Sequence, residues 1–127
     1  MAMTRTTLLC IRKTLEQCAD CPGFYGAVLA SPEGLVLAAA GQFDGDESAA
    51  CASGLMVNTS VNLGQMAVGS PLEIMIWGDD GKIWNVSALT GGYIMLIAST
   101  EAAHLNRLRQ IMHRATTVLN QALRILV

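Results

Sequence analysis

Charge is scarce in this sequence. Only 14% of its 127 residues are Asp, Glu, Lys or Arg, against roughly 25% in ordinary soluble domains. Apolar residues reach 52%, which excludes a disordered chain, because such chains lack the apolar surface to offset their ordering entropy. Long apolar runs are missing as well. None approaches the roughly 18–20 residues that a membrane-spanning helix needs. The twelve glycines follow no period, so a fibrous repeat is excluded. There is no internal repeat and no linker, and the length suits one domain rather than two.

What is present is more apolar surface than a small core can hide. At this size only about 60–70% of the unfolded surface is buried on folding, so the surplus points to an interface and an oligomer. The few charges are segregated. The net charge is −2; residues 1–22 sum to +1, residues 101–127 to +3, and the stretch between to −6. Basic ends around an acidic centre, without an overall basic bias, give little support to nucleic-acid binding. The opening MAMTRTTLLCIRK has neither an apolar signal core nor a small-residue cleavage site. The expectation is a cytoplasmic chain whose four cysteines are free thiols.

Apolar periodicity outlines the elements. Thr6 or Thr7 is expected to open a first helix, with Leu8, Ile11, Leu15 and Ala19 on one face, ended by Pro22-Gly23. Tyr25 to Ala30 and Leu35 to Ala40 read as paired strands around the turn Ser31-Pro32-Glu33-Gly34. Asp44-Gly45-Asp46-Glu47 is placed to cap a second helix, since carboxylates meet the free amides and the dipole of an N-terminus. Residues 48–72 then contain no Asp, Glu, Lys or Arg at all.

In helical projection Ala52, Met56, Thr59, Leu63 and Met66 form one stripe of this second helix, and Ala50, Gly54, Val57 and Val61 a second, opposite one. Small residues such as Ala49 and Ser53 fill the arc, leaving a thin polar line of Asn58, Asn62 and Gln65. A helix apolar on two faces is covered twice. Next come a strand from Leu72 to Trp77, an Asp-Gly hairpin turn at Gly78–Gly81, and a return strand from Lys82 to Ala88. Gly91-Gly92 precedes a strand from Tyr93 to Ala98, and Ser99 or Thr100 with Glu101 is expected to open a last helix with an apolar stripe from Leu105 to Leu126. The order αββαβββα is an α+β layer fold.

The segment from Pro22 to Ser31, followed by Glu33-Gly34-Leu35-Val36-Leu37-Ala38, resembles the roadblock family. The small-residue second helix and the Gly91-Gly92 break are similar too, and the likeness spans nearly the whole chain, a single domain over 1–127. It implies profilin-like layers: a five-stranded antiparallel sheet with the first and third helices on one face and the second on the other. It implies a homodimer paired edge to edge through the third strand, with two second helices side by side. It also implies a non-enzymatic adaptor for a small Ras-like GTPase, and relatives of the gliding-motility type stimulate GTP hydrolysis by such a partner. On that basis Ala49, Ala50, Ser53, Gly54, Val57 and Val61 are assigned to dimer contact, and Asn58, Asn62 and Gln65 to the partner surface. Gly54→Arg is expected to leave the fold soluble and break the dimer. The charge-poor second helix departs from a purely electrostatic docking surface.

The chemistry-bearing residues are mostly bland. Cys18-Ala19-Asp20-Cys21 has redox or metal spacing, but it falls at a helix C-terminus beside Asp20, where a thiolate is disfavoured. A four-cysteine site would also need Cys10 and Cys51, and Cys10 would lie about 12 Å along the helix from Cys18, too far to share a small ion; an iron–sulfur cluster bridging subunits would require the first helix to bend or end early. A cysteine-dependent cofactor protein and a passive scaffold subunit remain the alternative functions. His104 and His113 are nine apart, not the three or four that places two ligands on one turn. Ser31 and Ser53 have no nucleophile elbow around them, Gly78–Gly81 lacks the Lys and helix of a phosphate-binding loop, and Asp79-Asp80 suits a solvated turn. No cofactor, nucleic acid or membrane insertion is expected. Trp77 and Trp84 flank one hairpin, and packing across it is favoured over an exposed anchor.

Overall fold

The computed structural model of the protein describes residues 4–100 and 105–124. Its elements are α1 (Arg5–Gln17), a short 3-10 turn (Cys18–Asp20), β1 (Phe24–Ala30), β2 (Val36–Gly41), α2 (Gly45–Gln65), β3 (Glu73–Trp77), β4 (Ile83–Ala88), a second 3-10 turn (Thr90–Gly92), β5 (Ile94–Ser99) and α3 (Leu105–Leu123). The five strands form one antiparallel sheet in the order β2-β1-β5-β4-β3. Two edges are therefore left open, β2 and β3.

Alternation along the central strands sorts the core into two layers, because successive side chains of a strand point to opposite faces. Ala27 and Leu29 of β1 and Met95 and Ile97 of β5 pack with Ile11 and Leu15 of α1 and Leu108, Ile111 and Leu119 of α3. Val28 and Ala30, with Ile94 and Leu96, pack with Ala49, Ala52 and Met56 of α2. This is the layer arrangement that the family resemblance implies, with α1 and α3 on one face and α2 on the other.

Local chemistry sets the boundaries. Thr4, not Thr6 or Thr7, caps α1: its side chain accepts a hydrogen bond from the Thr7 amide at 3.1 Å. The earlier cap leaves Thr7 free to turn inward, where it is buried. Thr14 is buried on the same face, and its hydroxyl is satisfied by the Cys10 carbonyl at 2.8 Å. Ala19 leaves the expected stripe and is exposed, because the chain tightens into a 3-10 turn after Gln17. Asp44 caps α2 as expected, accepting from the Glu47 amide at 3.1 Å. Ser99 does not open the last helix; it ends β5, and its hydroxyl donates to the Pro22 carbonyl. The expected opening at Glu101, and also His104 and Leu126, lie outside the described residues.

Two glycines are required by close approach. A Cβ on Gly26 would fall 2.7 Å from Phe43 Cδ2, so its absence lets that ring lie on β1. Gly41 has φ +88°, and a Cβ there would meet the Tyr25 carbonyl oxygen at 2.5 Å. At the far side of the sheet, the amide of Thr90 donates to Asn120 Oδ1 at 2.8 Å and ties the β4–β5 connection to α3.

Candidate partner-binding surface

The residues of α2 separate into a buried face and two flanks. Ala49 is fully buried and Ser53 nearly so; both face the chain's own sheet and turn, and neither is available for the dimer contact assigned to them. The physical reason is that positions 49, 52, 53 and 56 share the helix face that seals β1 and β5. Ala50 and Gly54 are exposed, and Val57 and Val61 are 56% and 55% exposed.

The two flanks look toward opposite edges of the sheet. A Cβ on Gly34, in the β1–β2 turn, would lie 3.3 Å from Ser53 Cβ and 3.8 Å from Ala50 Cα. The flank with Ala50, Val57 and Val61 therefore turns toward the β2 side. The other flank borders a groove of about 330 Å³ between α2 and the β3–β4 hairpin, lined by Glu47, Ser48, Cys51 and Leu55 of α2 and by Ile76, Lys82 and Trp84 of the sheet. Asn58 and Asn62 continue the line of Cys51 and Leu55 at three- and four-residue steps. The two sets are thus exchanged relative to the β3 edge. Asn58 and Asn62, assigned to the partner, lie nearer β3, and the Val57–Val61 stripe, assigned to the dimer, lies away from it. Gln65 is exposed at the end of the helix.

Edge strand β3 is itself apolar and open. Ile76 and Trp77 are 38% and 59% exposed, and Leu72 just before the strand is 80% exposed. The two tryptophans do not pack on each other. Trp77 pairs with Ile83 and Trp84 with Ile76, so their rings project from opposite faces of the sheet. Trp84 stacks on Phe43 with centroids 5.3 Å apart, and Phe43 meets Tyr25 edge-on at 5.4 Å. Trp77 has no such ring neighbour among the described residues and stays in solvent, so packing holds for one ring only. Sequence reasoning missed Cys51, Leu55, Leu72 and Ile76 as surface residues. For the strand the available signal was the apolar run Ile74-Met75-Ile76-Trp77, whose edge position only the strand order reveals.

Two smaller features complete the site's surroundings. Asn85 is fully buried and bridges β3 to β4: its Nδ2 donates to Glu73 Oε1 at 2.6 Å, and its Oδ1 accepts from Ser87 at 3.2 Å. In the hairpin turn Asp80 accepts from the Lys82 amide at 3.0 Å and pairs with its ammonium at 3.8 Å, while that ammonium sits 4.9 Å over the Tyr25 ring.

The cysteines do not converge. All four are free; Cys10 and Cys51 are exposed on helices that lie on opposite faces of the sheet, and Cys18 and Cys21 are buried. Burial pushes the Cys18 thiol up to about 12, with Cys21 and Asp20 adding to the shift. Burial also raises Cys21, against the lowering effect of a hydrogen bond with Ser99 and the charge of Arg107. Desolvation thus outweighs the neighbouring carboxylate that sequence reasoning singled out. Cys18 donates to the Thr14 carbonyl at 3.4 Å, as a packed thiol does. Among the described residues no three His, Cys, Asp or Glu side chains gather as metal ligands.

Comparison with known proteins places this geometry. The sequence model of the Roadblock/LC7 domain matches residues 11–99. Among solved structures, MglB of Myxococcus xanthus superposes with a TM-score of 0.87 at 13% identity, over 100% of this chain and 97% of that one. The gliding protein MglB of Thermus thermophilus gives 0.84 at 17% identity, over 96% and 94%. A Roadblock/LC7 domain from Streptomyces avermitilis gives 0.71 at 22% identity, over 89% and 93%. No curated protein matches by sequence.

Proposed function

The chain belongs to the Roadblock/LC7 domain family, and from that premise we propose that it is a non-enzymatic regulatory adaptor of the cytoplasm, a homodimer that binds a small Ras-like GTPase and modulates its nucleotide state or its location. The observation that carries this reading is the open α2–β3 side of the sheet. An unpaired apolar edge strand lies there beside the groove, while the opposite flank of α2 leaves Val57 and Val61 more than half exposed.

An edge strand with exposed Leu72, Ile76 and Trp77 presents both free ladder groups and apolar surface, the combination that pairs with another chain. In the proposed dimer β3 meets β3 of a second copy, and the adjoining flank of α2, with Cys51, Leu55, Asn58 and Asn62, faces the partner's helix. The groove beside Trp84 is then closed by the second copy. The stripe of Ala50, Gly54, Val57 and Val61 remains outside that contact and supplies the apolar surface for the GTPase. The adaptor acts by position: holding switch segments in one arrangement lowers the entropic part of the hydrolysis barrier without contributing a reacting group. Fold alone does not dictate this function; the exposed apolar stripe is what favours a protein partner over a passive surface.

The test is capture from a lysate on immobilised protein, run with a slowly hydrolysed GTP analogue and with GDP. Recovery of a Ras-like GTPase in the GTP form only is the expected result, followed by a faster single-turnover GTP hydrolysis rate when the purified pair is mixed. Recovery of unrelated proteins irrespective of nucleotide would overturn the regulator reading in favour of a scaffold.

A further inference from the structure

Folding concentrates the cations of this chain on one side. Seven of its eight Lys and Arg residues lie in α1 and α3 or immediately after α3, and all seven are exposed. Against them this side holds, among the described residues, Glu16, Asp20 and Glu73 of β3, which lines one pocket with Arg109, for a net charge of +4. Among the described residues none of the seven forms an ion pair; the one such pair is Lys82 with Asp80, in the hairpin beyond the layer. The α2 side and the strand turns hold six acids and Lys82, for a net charge of −5. A molecule of net charge −2 is therefore strongly polar across its thickness.

We propose that the outer face of the α1–α3 layer docks on an anionic lipid bilayer, with Leu9 as a shallow apolar anchor among the cations of α1. Leu9 is 58% exposed and is the one large exposed apolar residue of α1 and α3 among the described residues. Arg5, Arg12 and Lys13 stand four, three and four residues from it, on the same side of the helix. A leucine ringed by cations matches a bilayer surface, where the side chain leaves water at the headgroup boundary while the charges meet anionic lipid. A nucleic acid is a poorer match, because α1 and α3 contain no Trp, Tyr or Phe on which a base could stack. The helices do not cross the bilayer; no helix of the described residues is long and apolar enough to do so. The surface lies opposite α2 and stands whether or not α2 binds a GTPase.

The experiment is co-sedimentation of the full chain with vesicles of phosphatidylcholine alone or mixed with phosphatidylserine. Binding is expected only to the mixed vesicles and is expected to fall as salt shortens the screening length. Arg12→Glu with Lys13→Glu should lower partitioning by about tenfold or more, as each cation near the surface contributes several-fold. Leu9→Ser should lower it by a smaller factor. Val68→Glu, at an exposed position in the loop after α2, should leave it unchanged. Should the double variant melt early, Arg114→Glu on α3 tests the same surface. Equal binding to both vesicle types, no binding at low salt, an equal loss with Val68→Glu, or displacement from vesicles by a short DNA duplex would each overturn the proposal.

Discussion

The two faces of the sheet are covered to different depths, although alternate residues of the same strands build both. Toward α1 and α3 the strands meet long side chains: Ile11, Leu15, Leu29, Met95, Ile97, Leu108 and Leu119 are all buried to 1% exposure or less. Toward α2 they meet mostly small ones, Val28 and Ala30 against Ala49 and Ala52, and α2 leaves a groove over β3 and β4. Two helices shield one face; a single helix lies across the other, with valines in water on its outer side. The difference separates tasks. The thick layer holds stability, and the thin one holds the surface that needs a partner.

The largest expected effect tests that separation directly. Leu119→Ala on the thick side should cost about 2–5 kcal/mol, since it removes transfer energy and leaves a cavity between packed helices. Met56→Ala on the thin side should fall at or below the lower end of that range, because its helix is free to settle. Urea unfolding of both variants measures the gap, and equal losses would break the comparison.

Next in size is Asn85→Ala, which leaves the buried Ser87 hydroxyl on β4 without its acceptor, removes the link to Glu73 of β3, and should cost about 1–3 kcal/mol. The same denaturation assay reads it. A smaller thermodynamic effect with a larger functional one is expected on α2. Asn58→Arg and Val61→Arg are both exposed changes and should move stability by no more than about 0.5 kcal/mol. Equilibrium sedimentation should show Asn58→Arg shifted to monomer and Val61→Arg still dimeric, while only the dimeric variant tests GTPase capture without that complication. The opposite pattern would return the dimer contact to the Val57–Val61 flank.

The smallest effect concerns the thiols. The folded state holds the Cys18 proton more tightly than the unfolded chain does, with a value near 12 against an ordinary 9.0. That contribution is complete below about pH 9 and is lost as pH rises toward 12, because the unfolded chain ionises first. At pH 8 a thiol reagent should label Cys10 quickly, Cys51 more slowly because the proposed dimer covers it, and Cys18 and Cys21 only on unfolding, followed by mass spectrometry. Rapid labelling of Cys18 would break the picture of a sealed α1–α3 layer.

Much of this was legible beforehand. The stripe of α3, with Leu108, Ile111, Met112, Ala115 and Leu119, lies buried where its spacing placed it. The hairpin turn at Gly78–Gly81 closes between β3 and β4 as its Asp-Gly signal indicated. The double apolar character of α2 also holds: Ala52 and Met56 are buried while Val57 and Val61 face solvent. What failed was the assignment of neighbours. Ala49 and Ser53 were given to a second copy, whereas they seal their own sheet. Trp77 was expected to pack, whereas its register turns it away from Trp84 into water.

Sequence alone determined which residues share a face, because that depends on the fixed periods of helix and strand and on local caps such as Asp44. It also determined that the ends are basic and the centre acidic. Only the tertiary structure decided what each face looks at. The order β2-β1-β5-β4-β3 leaves β3 at an edge, points one flank of α2 toward it and the other away, and gathers the two basic ends into one layer. Those outcomes arise from pairings between residues far apart in the chain, and no local period carries that information.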